Sequence, residues 1–147
     1  MLPDANTPPP RSAYAYFTTI DTRWADEDAY GHVNNVAYYG FFDTAVNRRL
    51  IERGVLDPRT SRAIGLVVES GCRYFESLSF PDRIEAGLKV ERLGTSSVTY
   101  DIALFRNDSP AAAARGRFVH VYVDRETRRP TPIPDDVRAV LAELLGG

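Results

Sequence analysis

At 147 residues, 44% apolar and 26% charged, the chain has the size and composition of one soluble globular domain with a buried core. Its net charge is −2 and its 18 Lys and Arg are scattered, which leaves no electrostatic footprint for nucleic acid; no apolar run approaches the roughly 20 residues of a membrane span. The single cysteine, Cys72, excludes an intrachain disulfide and favours a reducing, cytoplasmic setting.

Residues 1–12 are Pro-rich, lack an apolar stretch of signal-peptide type and read as a disordered tail; residues 13–147 read as one domain. Tyr14 to Trp24, dense in Tyr, Phe, Thr and Ile, reads as a strand with Tyr16, Thr18, Ile20, Thr22 and Trp24 on one face. Acidic, Gly and Asn residues from Asp26 to Asn35 then form a loop. Val36 to Arg53 turns helical, with Asn34 as N-cap and Gly54 as stop signal. The first half of that helix, from Val36 to Val46, is apolar nearly all round and asks to be covered on most sides.

The cover comes next. Gly65 to Phe75 reads as a strand, and Ile84 to Leu93 alternates apolar and charged residues. Val98, Tyr100, Ile102 and Leu104 repeat the period of two, and Arg117 to Val123 gives a last strand. Turns at Phe80-Pro81-Asp82, Leu93-Gly94-Thr95 and Asn107-Asp108-Ser109-Pro110 predict antiparallel neighbours along this series. Val137, Val140, Leu141 and Leu144 share a stripe of a short helix after Pro134. The order predicts an α+β domain: a five-stranded antiparallel sheet curled round one long helix, plus a short C-terminal helix.

Chemistry concentrates in Arg23-Trp24-Ala25-Asp26-Glu27-Asp28-Ala29-Tyr30-Gly31-His32-Val33-Asn34-Asn35-Val36-Ala37-Tyr38. Three carboxylates crowd a loop that feeds the helix, and close like charges with partial burial raise a carboxylate's pKa. The first backbone N–H groups of the helix are unpaired and sit at its positive end, suited to a developing oxyanion. A carboxylate beside a helix N-terminus is a minimal acyl-transfer site without metal or serine.

This segment resembles the signature of the 4-hydroxybenzoyl-CoA thioesterase-like branch of hot-dog proteins. Val67-Val68-Glu69-Ser70, Phe80-Pro81-Asp82, Arg92-Leu93-Gly94-Thr95-Ser96-Ser97-Val98 and His120-Val121-Tyr122-Val123-Asp124-Arg125 also follow in that family's order, so the likeness spans Tyr14 to Pro134. The resemblance implies a hot-dog fold and an acyl-CoA thioesterase acting without a cofactor. It implies Asp28 as catalytic carboxylate, either nucleophile or general base, and the Asn35 N–H as the group that polarises the thioester carbonyl. Gly31, His32 and Tyr38 fall on substrate-binding positions, with Tyr30, Tyr39, Phe41 and Phe42 as further candidates for the acyl pocket. As partners it implies an acyl-CoA substrate and a homodimer, or a dimer of dimers, with active sites at the interface. An exposed sheet edge makes the same demand physically.

Plainer readings stand beside these. Asp26 and Glu27 read as solvated or capping, and His120 as a satisfied sheet residue. Asp43, two turns along the helix, is the rival carboxylate, because a sister branch places its carboxylate there; Glu69 ranks below it. Arg92, Arg128 and Arg129 are candidates for the CoA phosphates, though any one reads first as a solvated charge. Two His and one Cys far apart leave metal binding without support, and neither a Gly-x-Ser-x-Gly elbow nor a Gly-rich phosphate loop occurs. Competing functions on the same fold are an acyl-carrier-protein thioesterase, a hydratase, whose Asp–His pair is missing, and a non-catalytic acyl-thioester-binding protein.

Overall fold

A computed structural model describes residues 6–146. Seven elements follow in chain order: β1 Tyr16–Asp21, α1 Asn35–Glu52, β2 Ala63–Tyr74, β3 Arg83–Leu93, β4 Ser97–Arg106, β5 Ala114–Asp124 and α2 Asp135–Ala142. The strands make one antiparallel sheet in the order β1-β3-β4-β5-β2, curled round α1 in the hot-dog arrangement.

Helix α1 starts where Asn34 Oδ1 accepts from the Val36 N–H at 2.9 Å, and ends at Gly54 with φ +73°. Tyr38, Phe41, Phe42, Ala45, Val46 and Leu50 bury one broad face. Phe42 sits at its centre against Gly116 of β5, where an added Cβ would lie 2.4 Å from the ring. Alternating residues of β3 and β5, and nearly all of β4, supply the opposing wall. Helix α2 closes one end through Val137, Val140 and Leu141, with the Val90 N–H donating to the Leu144 carbonyl at 2.7 Å.

The sheet covers α1 less fully than its composition asks. Val36 is 72% exposed, and with Gly40 and Asp43 it forms an open stripe along the helix. Beside that stripe, β2 has β5 as its one strand neighbour. Its free edge exposes Leu66, Val67 and Val68, with a register shift between Val67 and Glu69.

Three expectations need correction. The turn at Phe80-Pro81-Asp82 does not make β2 and β3 neighbours; β2 lies at the far edge and β3 beside β1. The connection after Tyr74 is too long for a tight hairpin and is pinned as a crossing: Leu78 is fully buried and its carbonyl accepts from Val33 N–H at 2.8 Å. Asp82 holds its end, accepting from Ser79 N–H, Arg106 Nε and Asn107 Nδ2. Second, the first strand stops at Asp21, and Trp24–Asp26 forms a 3-10 turn. Third, the described part of the expected tail is ordered. The Pro9 carbonyl accepts from Ala112 N–H, and Arg11 donates to the carbonyls of Ser109 and Asn107. Proline removes donors without preventing such packing. Residues 1–5 lie outside the described residues.

Candidate active site

The loop before α1 is built so that its three carboxylates diverge. Asp26 is buried and closes the 3-10 turn, accepting from Arg23 N–H at 2.7 Å and from its guanidinium at 2.8 Å. Glu27 turns to the next segment and accepts from Phe80 N–H at 2.9 Å. The expected crowding of like charges is therefore absent, because each side chain satisfies a different backbone donor. Asp26 is a cap, as the plainer reading had it.

Asp28 faces another way. Its Oδ1 accepts from Tyr30 N–H at 2.8 Å, its own N–H donates to the His32 carbonyl at 2.9 Å, and Gly31 closes the turn at φ +84°. This knot presents the half-buried Asp28 to a cleft of about 620 Å³. The cleft is lined by Asp28, His32, Val33, Asn35 and Tyr38 from the loop and first turn of α1, and by Tyr74, Phe75, Glu76 and Ser77 from the end of β2.

Four of the five sequence candidates thus share one cavity. Gly31 is not in its lining; it shapes the turn, and its carbonyl accepts from Ser79 Oγ. The helix start supplies the polar end. Val36 and Ala37 N–H donate to Asn34, and the Asn35 N–H takes no acceptor among the described residues. Tyr38 is buried, stacks edge-on with Tyr74 at 4.9 Å between ring centroids, and is pushed above the usual tyrosine range by burial. Phe42 belongs to the core, Tyr39 stacks on Phe118, and Tyr30 is exposed.

Tyr74, Phe75, Glu76 and Ser77 were not foreseen. They lie some 40 residues from the motif, and only the packing of the β2 end against the helix start joins them to it. Glu76 brings a second carboxylate, paired with Arg106 at 3.2 Å.

The remaining candidates lie elsewhere. Asp43 is on the open stripe of α1, without a cation partner among the described residues, and desolvation raises its carboxyl above the ordinary value. Glu69 is paired with Arg117 at 2.8 Å. Arg92, Arg128 and Arg129 are at the sheet end opposite the cleft, Arg92 on β3 and Arg128 and Arg129 just after β5. His120 is not the satisfied residue expected: its Nε2 is buried with no hydrogen-bond partner among the described residues. Among the described residues no three of His, Cys, Asp and Glu gather as metal ligands, and no helix is long and apolar enough to cross a membrane.

Comparison with known proteins gives the same frame. A family model described as the thioesterase-like superfamily matches residues 22–141. The chain is similar to the crystal structure of the PA5185 protein from Pseudomonas aeruginosa, with 56% identity, TM-score 0.93, and 95% of this chain and 98% of that one covered. It is similar at 26% identity and TM-score 0.76 to a predicted thioesterase from Bacillus stearothermophilus, covering 88% of this chain and 96% of that one. Slr0204, a 1,4-dihydroxy-2-naphthoyl-CoA thioesterase from Synechocystis, shares the fold at 17% identity and TM-score 0.80, covering 88% and 96%.

Proposed function

The chain belongs to the thioesterase-like superfamily and is a thioester hydrolase, and from that premise we propose that it cleaves acyl-CoA in the cleft at the start of α1, with Asp28 as nucleophile or general base. The observation that carries this reading is the shared cavity: a carboxylate and the unpaired Asn35 N–H line one cleft. The thioester carbonyl accepts from the Asn35 N–H and the positive end of α1, which stabilise the oxygen as it gains charge. Asp28 then attacks the carbonyl carbon or takes a proton from the attacking water; either route needs it ionised and within about 3–3.5 Å of the reacting atom. The carbon–sulfur bond breaks and CoA leaves as the thiol. With Asp28 as base, the attacking water becomes part of the free acid at once. With Asp28 as nucleophile, the acyl group stays on it as a mixed anhydride until water hydrolyses it, releasing the acid and restoring the carboxylate. Tyr38 and Tyr74 form the aromatic wall beside the reacting group, and His32 lines the mouth.

The working unit in this reading is a cytoplasmic homodimer, joined along β2. Support comes from the free edge of β2 with its exposed Leu66, Val67 and Val68, and from the adjoining stripe of Val36 and Gly40. A thiol-release assay over short, long and aromatic acyl-CoAs, with acyl-carrier-protein thioesters in parallel, tests the activity. Turnover of at least one acyl-CoA is expected; binding without thiol release contradicts it. Light scattering is expected to give at least twice the monomer mass, and a monomer at assay concentration contradicts the assembly.

A further inference from the structure

Trp24 is the only tryptophan of the chain and is 75% exposed. Indoles are mostly buried in folded proteins, so this one asks for a partner. Its ring meets Phe80, itself 38% exposed, edge-on at 5.9 Å between centroids. Such a contact takes at most one face of the indole, and the exposure leaves the other open to water. Backbone hydrogen bonds hold the pair in place. Glu27 N–H donates to the Trp24 carbonyl at 3.3 Å, and Glu27 Oε2 accepts from Phe80 N–H at 2.9 Å. Asp82 accepts from Ser79 N–H and Arg106 Nε, which fixes the turn that carries Phe80.

The two segments that carry these rings also line the Asp28 cleft: Trp24 leads into Asp28, and Phe80 follows Ser77. They are bonded to each other on the way. Val33 N–H donates to the Leu78 carbonyl at 2.8 Å, and Ser79 Oγ to the Gly31 carbonyl at 3.3 Å. Only four chain steps separate Trp24 from Asp28, which puts their Cα atoms at most about 14 Å apart at about 3.6 Å per step.

The surroundings restrict what the rings can hold. Arg23, Asp26, Glu27, Ser79 and Asp82 border them, so the apolar area is far smaller than a protein partner needs. A flat aromatic ring on a charged molecule fits instead. CoA carries one, its adenine, joined to the thioester by a flexible arm long enough to pass from cleft to rings. Arg92, Arg128 and Arg129, the sequence candidates for its phosphates, lie at the far sheet end. On the cleft side the exposed cations are Arg23, which precedes Trp24, and Arg106, which pairs with both Glu76 of the cleft and Asp82.

We propose that Trp24, backed by Phe80, stacks on the adenine of CoA while the thioester occupies the Asp28 cleft. This rests on the acyl-CoA reading given above and deepens it. An acyl carrier protein presents the same pantetheine arm without a base, so the rings select CoA as the carrier. Any purine offers a π-face to an indole, and loss of one such stack weakens binding by roughly five- to a hundredfold.

As the sole tryptophan, Trp24 reports on its own surroundings. Its fluorescence is titrated with CoA, adenosine 3′,5′-bisphosphate and pantetheine. The free protein is expected to emit as a water-exposed indole, and CoA and the bisphosphate to quench it to saturation while pantetheine leaves it unchanged. Kinetics supply the second arm. Trp24→Ala is expected to raise KM for an acyl-CoA by about tenfold, and KM for the pantetheine thioester of the same acid by less than about twofold. Trp24→Phe, which keeps a stacking face, is expected to recover most of the loss. A merely structural role for Trp24 would move both thioesters alike.

Equal quenching by pantetheine and CoA, or a KM for acyl-CoA that Trp24→Ala does not move, overturns the inference while thiol release persists. So does emission of a covered indole in the free protein, which would put a second copy over Trp24. Absence of thiol release from every acyl-CoA, with quenching by CoA intact, overturns the activity instead and leaves the adenine site standing.

Discussion

The two ends of α1 are built from the same helix and sheet yet are opposite in character. At the start, a wide cleft is lined by Asp28, His32, Glu76 and Ser77 and by Asn35, whose N–H takes no acceptor among the described residues. Towards the other end, a smaller cavity has no charged residue in its lining, and burial of His120 beside it lowers the imidazole pKa to about 4. Phe42, fully buried against Gly116 and Phe118, separates them.

Removing that divider is the largest expected blow to stability. Phe42→Ala leaves a cavity midway along α1 and is expected to cost about 3–5 kcal/mol in urea unfolding; a loss below about 1 kcal/mol would mean that the two ends are not held apart by packing. Burial of His120 adds acid sensitivity. With a folded pKa of about 4 against about 6.5 unfolded, His120 takes up a proton in the unfolded chain before the folded one. Its contribution is complete above pH 6.5 and is lost as pH falls through 4. Between pH 7 and pH 4 the wild type is expected to lose roughly 3 kcal/mol more than His120→Phe. Equal slopes for the two proteins would show that the imidazole is hydrated. The smallest effect belongs to the open end: Asn34→Ala removes the cap on Val36 N–H and is expected to cost about 1 kcal/mol, with Asn34→Asp restoring most of it.

What the sequence made legible follows the same division. Period-two alternation located β3, β4 and β5, and Asn34 with Gly54 marked α1 to within a residue, because these signals are local. Asp28, His32, Asn35 and Tyr38 were legible through one contiguous motif whose loop and helix start fold as a unit. Tyr74 to Ser77 were not, since the crossing from β2 to β3 brings them to the cleft from far along the chain. Nor was that crossing itself readable: a Pro-Asp turn signal marks a reversal, not which strand lies beside which. The isolation of His120 Nε2 was hidden for a similar reason, because whether a buried imidazole finds a partner depends on what faces β5.

Asp43 supplies the sharpest contrast within α1, as a carboxylate on the open stripe whose pKa desolvation raises, two turns from the unpaired Asn35 N–H. Thiol release by Asp28→Asn and Asp43→Asn, measured side by side on the best acyl-CoA substrate, therefore tests the central assignment most directly. Asp28→Asn is expected to lower kcat by about a hundredfold or more, the size of effect that removal of a base or nucleophile has, and Asp43→Asn by less than about tenfold. An inactive Asp43→Asn beside an active Asp28→Asn would move the chemistry to the helix stripe and contradict the account.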